Sequence, residues 1–242
     1  MKIGGAPFHF WFIEVIKRLN WLQIIVLNTL QKIGPIILVS YTLYSRDAAR
    51  LILFSIISSA ILGGLGGLNQ MHLNKIIAYS SLNHIGWMLQ SLTMSLYLWS
   101  LYFLIYSSLL SSLCLIFHFF GVKHLKQLSD KTGKNLLTAV VMAFPLLSLA
   151  GLPPFSGFMI KLVVLAQLIT QAQVVLTAVL LLSSLFSLFF YFRVLLSSVI
   201  LSSYKSKTSL ASHGLSLDRK TKLVLFSNFV VILFPSLALR VS

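Results

Sequence analysis

Long apolar runs separated by short polar stretches organise this chain: Trp21 to Tyr44, Leu51 to Leu68, Ile76 to Met94, Leu98 to Phe120, Leu136 to Thr170, Val174 to Leu201 and Leu223 to Leu239. At 1.5 Å of rise per residue each can cross ~30 Å of hydrocarbon. The pattern predicts an all-α, polytopic membrane helix bundle of about seven full spans plus an N-terminal partial helix. One run breaks the rule, because Leu136 to Thr170 as a straight helix would measure roughly 50 Å. Loop charge decides whether it crosses once or turns back. With one crossing, Lys17, Arg18, Lys75, Lys123, Lys126, Lys131, Lys134, Lys205, Lys207, Arg219, Lys220 and Lys222 share a side, leaving Arg46, Arg50 and Arg240 on the other. A hairpin would largely erase that asymmetry, so a single, interrupted crossing is expected.

The interruption is written in AGLPPFSGFMIKLVV, Ala150 to Val164. Pro153 and Pro154 each remove a backbone donor, while Gly151 and Gly157 loosen the chain. A broken helix around 151–157 follows, with Leu136 to Ala150 and Phe158 to Thr170 as its halves. Such breaks persist at membrane depth where protein or water satisfies the freed backbone groups, so they usually line ion or substrate paths. Lys161 falls in the first turn of the second half, where burial and the helix dipole both disfavour its ammonium form. Carbonyls ending the first half would act the other way, and a packing kink with a snorkelling lysine fits the same residues.

Lys32, in LNTLQKIGPIILVSY, sits near the middle of its span with Pro35 one turn later. A lysine there costs about 3 kcal/mol or more. No carboxylate lies within any predicted span to pair with it, which favours a functional role over a structural ion pair. In KIIAYSSLNHIGWM, Ser80 and His84 share a helical face, and His84 is near mid-depth. Its imidazole could relay protons or serve as a hydrogen-bonded core residue. His118 reads as packing, and Arg193 as a snorkelling or headgroup-anchoring side chain. The GGLGG of Gly63 to Gly67 suits close helix packing.

Composition agrees with a membrane class: 57% of residues are hydrophobic and 10% charged, against about 25% charged in soluble domains. The net charge of +15 arises from a shortage of acids, which are Glu14, Asp47, Asp130 and Asp218. Nucleic acid is not an expected partner, since the basic residues lie between apolar runs and not on a soluble face. Cys114, alone in an apolar run, excludes a disulfide framework and most metal sites. No P-loop, dinucleotide fingerprint, haem motif or nucleophile constellation is present. The chemistry expected of this chain is proton transfer, with no catalytic residue, bound cofactor or metal of its own.

Four motifs in order carry a resemblance: KIGGAPFHFWFIEV, QKIGP, NKIIAYSSLNHIGW and LAGLPPFSGFMIKL. Together they resemble the chain 2 family of mitochondrial NADH:ubiquinone oxidoreductase, respiratory complex I, over essentially the whole length. That family is antiporter-like and built on two inverted five-helix repeats. The resemblance implies a multi-pass subunit of the mitochondrial inner membrane with a mid-membrane lysine row on Lys2, Lys32 and Lys161, His84 lying near the same axis. It implies that 1–44 is a remnant of the first repeat, 49–201 the second repeat and 221–240 a C-terminal span. Other membrane-arm subunits would be the partners, with phospholipid around them and cardiolipin as a candidate. NAD, FMN, iron–sulfur clusters and ubiquinone would belong to partner subunits, and the basic loops 122–135 and 201–222 would face the matrix. Two departures stand out. Ile13 replaces a proline usual before the acidic residue at Glu14, and the family's roughly three helices before KIGGAPFH, one carrying a glutamate that pairs with the lysine matching Lys2, have no counterpart here.

Overall fold

The computed structural model describes residues 2–43, 45–132, 136–153 and 155–206. Their helices are α1 (Phe10–Arg18), α2 (Trp21–Asn28), α3 (Leu30–Thr42), α4 (Arg46–Gly66), α5 (Leu73–Met94), α6 (Leu96–Phe120), α7 (Leu125–Thr132), α8 (Leu136–Ala150), α9 (Ser156–Thr170) and α10 (Val174–Ser206). No strand occurs among the described residues beyond a single bridge between His72 and His124. The expected all-α membrane bundle is therefore present. The span from Leu223 to Leu239, the loop beyond 206 and Pro154 lie outside the described residues.

Trp21–Thr42, Arg46–Gly66, Leu96–Phe120 and Val174–Ser198 are long and apolar enough to cross a membrane. Their outward faces carry Leu38, Leu51, Phe54, Leu104 and Phe189, all well exposed. Such a surface matches hydrocarbon, not water. The centre of the bundle is α5, buried almost without interruption from Leu73 to Leu92. Small residues let α4 approach it closely. A Cβ on Gly63 would come within 2.4 Å of the Asn83 amide nitrogen, and one on Gly86 would meet Ser59 and the Ile56 carbonyl at 3.0 and 3.2 Å. The role expected of GGLGG in packing is thus realised at Gly63.

Two helices are interrupted. The Trp21–Thr42 span breaks at Thr29, whose φ and ψ are −107° and −81°. The side chains beside it bond back to the preceding turn: Asn28 Nδ2 donates to Ile24 O at 3.1 Å and Thr29 Oγ1 to Ile25 O at 2.7 Å. The second break separates α8 from α9, each 15 residues long and so about 22 Å, shorter than the hydrocarbon layer. Leu152 N donates to Leu147 O at 3.2 Å and Gly151 N to Leu147 O and Ser148 O at 3.1 and 3.0 Å. With Gly151 at φ +82°, this is a Schellman-type stop. Gly157 then permits α9 to start beside the end of α8, since a Cβ there would lie 1.8 Å from Ser148 O.

Arg193, half-buried, closes a helix end. From α10 it donates from Nη1 to Leu68 O at 2.6 Å and from Nη2 to Gln70 O. Those carbonyls end α4 and begin the loop to α5, so the guanidinium, a planar fork of donors, closes that helix end.

Candidate functional site

The Schellman stop uses the carbonyls of Leu147 and Ser148 and leaves those of Leu149 and Ala150 without amide donors. Lys161, one turn into α9, supplies them: Nζ donates to Leu149 O at 3.3 Å and to Ala150 O at 3.1 Å. Its ammonium therefore meets the negative end of the α8 dipole as well as the positive end of α9. The sequence-based view counted the second effect and left the first open, and the direct contacts decide in favour of α8. Nζ also lies 5.5 Å from the Trp87 ring centroid, a cation–π distance. Gly151 is constrained twice, by its left-handed φ and because a Cβ would come within 3.0 Å of Lys161 Cδ and Nζ.

Lys32 has a different setting. It is 2% exposed, and Nζ has no hydrogen-bond partner among the described residues. Two rings flank it, with centroids 5.0 Å away at Phe12 and 5.6 Å away at Tyr106. The N-terminal segment holds the first ring in place, because Gly4 packs flush on Phe12. Glu14 and Asp47 offer no counter-charge, being exposed and paired with Arg18 at 3.4 Å and Arg50 at 3.8 Å. Ring faces contribute about 2 kcal/mol when desolvated, whereas an unpaired buried ion costs several. A proton on Lys32 is uncompensated by any carboxylate or carbonyl among the described residues.

His84 lies within electrostatic range of both lysines. Its Nδ1 is 2.9 Å from Tyr102 Oη, and its ring centroid is 4.9 Å from that of Tyr106. Both readings of His84 have a basis here, since it is hydrogen-bonded in the core and faces two amines. Ser80, on the same helix, donates to Ile77 O at 2.8 Å and not to the imidazole. A cavity of about 10 Å³ is bounded by His84, Tyr102, Tyr106, Ser148 and Gly157. That is the room one water centre needs. The Tyr106 hydroxyl beside it has no well-formed hydrogen bond.

Lys2 is exposed. Pro153 is exposed in the link, and Pro154 lies outside the described residues. Phe12, Trp87, Tyr102 and Tyr106 were not foreseen as site residues. Their only signal is spacing, with Tyr102 and Tyr106 four apart on α6 and His84 and Trp87 three apart on α5, which places each pair on one face.

A bundle with a broken helix and buried lysines facing a polar centre defines a polytopic membrane subunit of antiporter-like class. The chain belongs to the NADH:quinone oxidoreductase/Mrp antiporter transmembrane family, whose model matches residues 1–187. Within it, the chain is 40% identical to NADH-ubiquinone oxidoreductase chain 2 of Aedes aegypti, over 96% of this chain and 67% of that protein. The fold is shared with a chain in the structure of respiratory complex I from Thermus thermophilus with bound aureothin, at a TM-score of 0.76 and 20% identity, covering 97% of this chain and 53% of that one. It is shared also with a chain of the membrane-bound sulfane sulfur reductase, an archaeal respiratory membrane complex, at a TM-score of 0.82 and 13% identity over 98% and 50% of the two chains. The chain thus spans about two thirds of the length of its curated relative and about half of its structural neighbours.

Proposed function

We propose that this chain is a proton-translocating subunit in the membrane arm of NADH:ubiquinone oxidoreductase of the mitochondrial inner membrane. Protons pass between Lys161 and Lys32 through His84, driven by quinone reduction in other subunits. The observation that carries the reading is the pair of buried amines that both act on His84, one with two acceptors and the other with none among the described residues. A proton rests at Lys161, is relayed by the imidazole and a water in the Tyr106-lined cavity, and is held only transiently at Lys32. The magnitudes are commensurate. Moving one charge against 100 mV requires ~2.3 kcal/mol, and each charge-assisted hydrogen bond at Lys161 is worth about 1.5–3 kcal/mol.

Residues 1–44 belong to one inverted repeat and 49–201 to the second. The nicotinamide, flavin, iron–sulfur and quinone chemistry belongs to partner subunits, and Lys2 reaches the row through a carboxylate that a neighbouring chain brings to it. Cation/proton antiport is the weaker alternative, because Glu14 and Asp47 face outward.

A structural reading has one observation in its favour: Lys161 closes the end of α8, a sufficient reason for a buried lysine. Two substitutions separate the readings. Lys161→Arg keeps cationic donors for the two carbonyls but cannot release a proton, whereas Lys161→Ala removes both functions. Proton flux per NADH should fall in both variants while NADH oxidation by an artificial acceptor continues. Full flux in the arginine variant would establish the structural reading instead.

A further inference from the structure

Away from the lysine row, a second group of titratable side chains meets where three elements end. The His72–His124 bridge is flanked by two hydrogen bonds, Leu73 N to Lys123 O at 2.9 Å and Leu125 N to Met71 O at 3.1 Å. This pattern marks a non-hydrogen-bonded pair, in which side chains stand closest. The imidazole centroids are accordingly 4.1 Å apart. Asn74 Nδ2 donates to Ile16 O at 3.3 Å and Leu19 O at 3.2 Å, tying the end of α1 to the start of α5 and bringing Lys17 to the same place. Trp21 Nε1 donates to Val122 O at 3.1 Å and holds the third element. The convergence is therefore fixed by hydrogen bonds from three directions.

Every charge that acts on His72 is positive, namely His124, Lys75 and Lys17. Histidine pairs also suit transition metals, but a cation would enter against two lysines. A phosphate group has the opposite balance, with four donors and no competing carboxylate among the groups that act on His72. The location adds a source, since the cluster sits at the end of α1, the start of α5 and just past the end of α6, a helix long and apolar enough to cross a membrane, and the end of such a helix falls near the headgroups.

We propose that Lys17, His72, Lys75 and His124 form a binding site for a phosphate group at the membrane surface, delivered by an anionic phospholipid headgroup or by the free anion. Binding takes up protons on the histidines. Burial first, and then the like charges of His124, Lys75 and Lys17, push the His72 pKa below the ordinary value of 6.5, and a bound phosphate reverses that repulsion. Affinity therefore rises as pH falls, on a baseline set by Lys17 and Lys75, with Lys123 exposed next to His124.

The full chain in phosphatidylcholine nanodiscs tests this with two probes, phosphatidylglycerol retention by native mass spectrometry and titration with inorganic phosphate, each at pH 6 and pH 8. Wild type should bind at least one probe, several-fold more tightly at pH 6. Lys17→Gln, a change at an exposed side chain, should weaken it about fivefold at both pH values, with Lys17→Arg restoring it. His72→Gln with His124→Gln should remove the pH dependence and keep the baseline. Binding of phosphatidylglycerol without inorganic phosphate assigns the headgroup as source, and binding of both assigns the phosphate alone. Equal affinity of wild type and Lys17→Gln for both probes at both pH values would overturn the site.

Discussion

Removing each buried amine should have opposite effects on stability. Lys161→Met strips the donors from Leu149 O and Ala150 O, which are buried at the end of α8. An unsatisfied carbonyl costs about 1–3 kcal/mol, so the pair amounts to about 2–5 kcal/mol, offset slightly by a more apolar side chain. Lys32→Met removes an amine that satisfies no acceptor among the described residues. What is lost is contact with the Phe12 and Tyr106 faces, about 2 kcal/mol in all where desolvated. What is gained is relief of an unpartnered buried polar group, about 1–3 kcal/mol. Methionine matches the lysine stem closely enough for neither change to open a large cavity. For a chain of this size, 1 kcal/mol moves Tm by about 2–4 °C. Thermal unfolding of the purified chain should place Lys161→Met about 5–15 °C below wild type and Lys32→Met level with it or above. Equal destabilisation by both would refute the assignment of acceptors to one lysine alone.

Gly151→Ala should cost about 1–2 kcal/mol for its left-handed backbone and also displace Lys161, lowering both Tm and proton flux. Gly34→Ala, where no atom lies within 4 Å of the added carbon, should stabilise α3 by up to about 1 kcal/mol and leave flux unchanged. Arg193→Gln should free the Leu68 and Gln70 carbonyls and lower Tm without altering proton flux per NADH. In phosphate-free buffer the His72–His124 bridge should loosen as pH falls. The pKa of His72 is depressed in the folded chain, so the unfolded chain binds more protons and the stabilisation present above about 6.5 is lost below it. Exchange of the Leu73 and Leu125 amides, corrected for intrinsic rate, should quicken between pH 8 and pH 5.5.

Lys32 and Lys161 were legible because a charge in an apolar run has no ordinary explanation, and the α8–α9 break because two prolines and two glycines cannot continue a helix. The Thr29 break was not. Asn28 and Thr29 are tolerated inside helices, and the interruption shows only in the Thr29 dihedrals. The aromatic partners were hidden for a related reason: in so apolar a chain, Phe12, Tyr102 and Tyr106 look like any other core side chain. What distinguishes them is which helix they face, a long-range fact that local spacing does not carry. The acceptors of Arg193 are hidden likewise, since they lie more than a hundred positions away in the sequence.

The most direct test of the proton row uses the Lys32→Met variant again, because that change should leave the fold intact. The measurement is proton flux per NADH in reconstituted complex, normalised to the amount of assembled complex. The account predicts an assembled complex of undiminished stability that moves fewer protons per NADH than wild type. Wild-type flux from that stable complex would contradict it and leave Lys32 without a part in translocation.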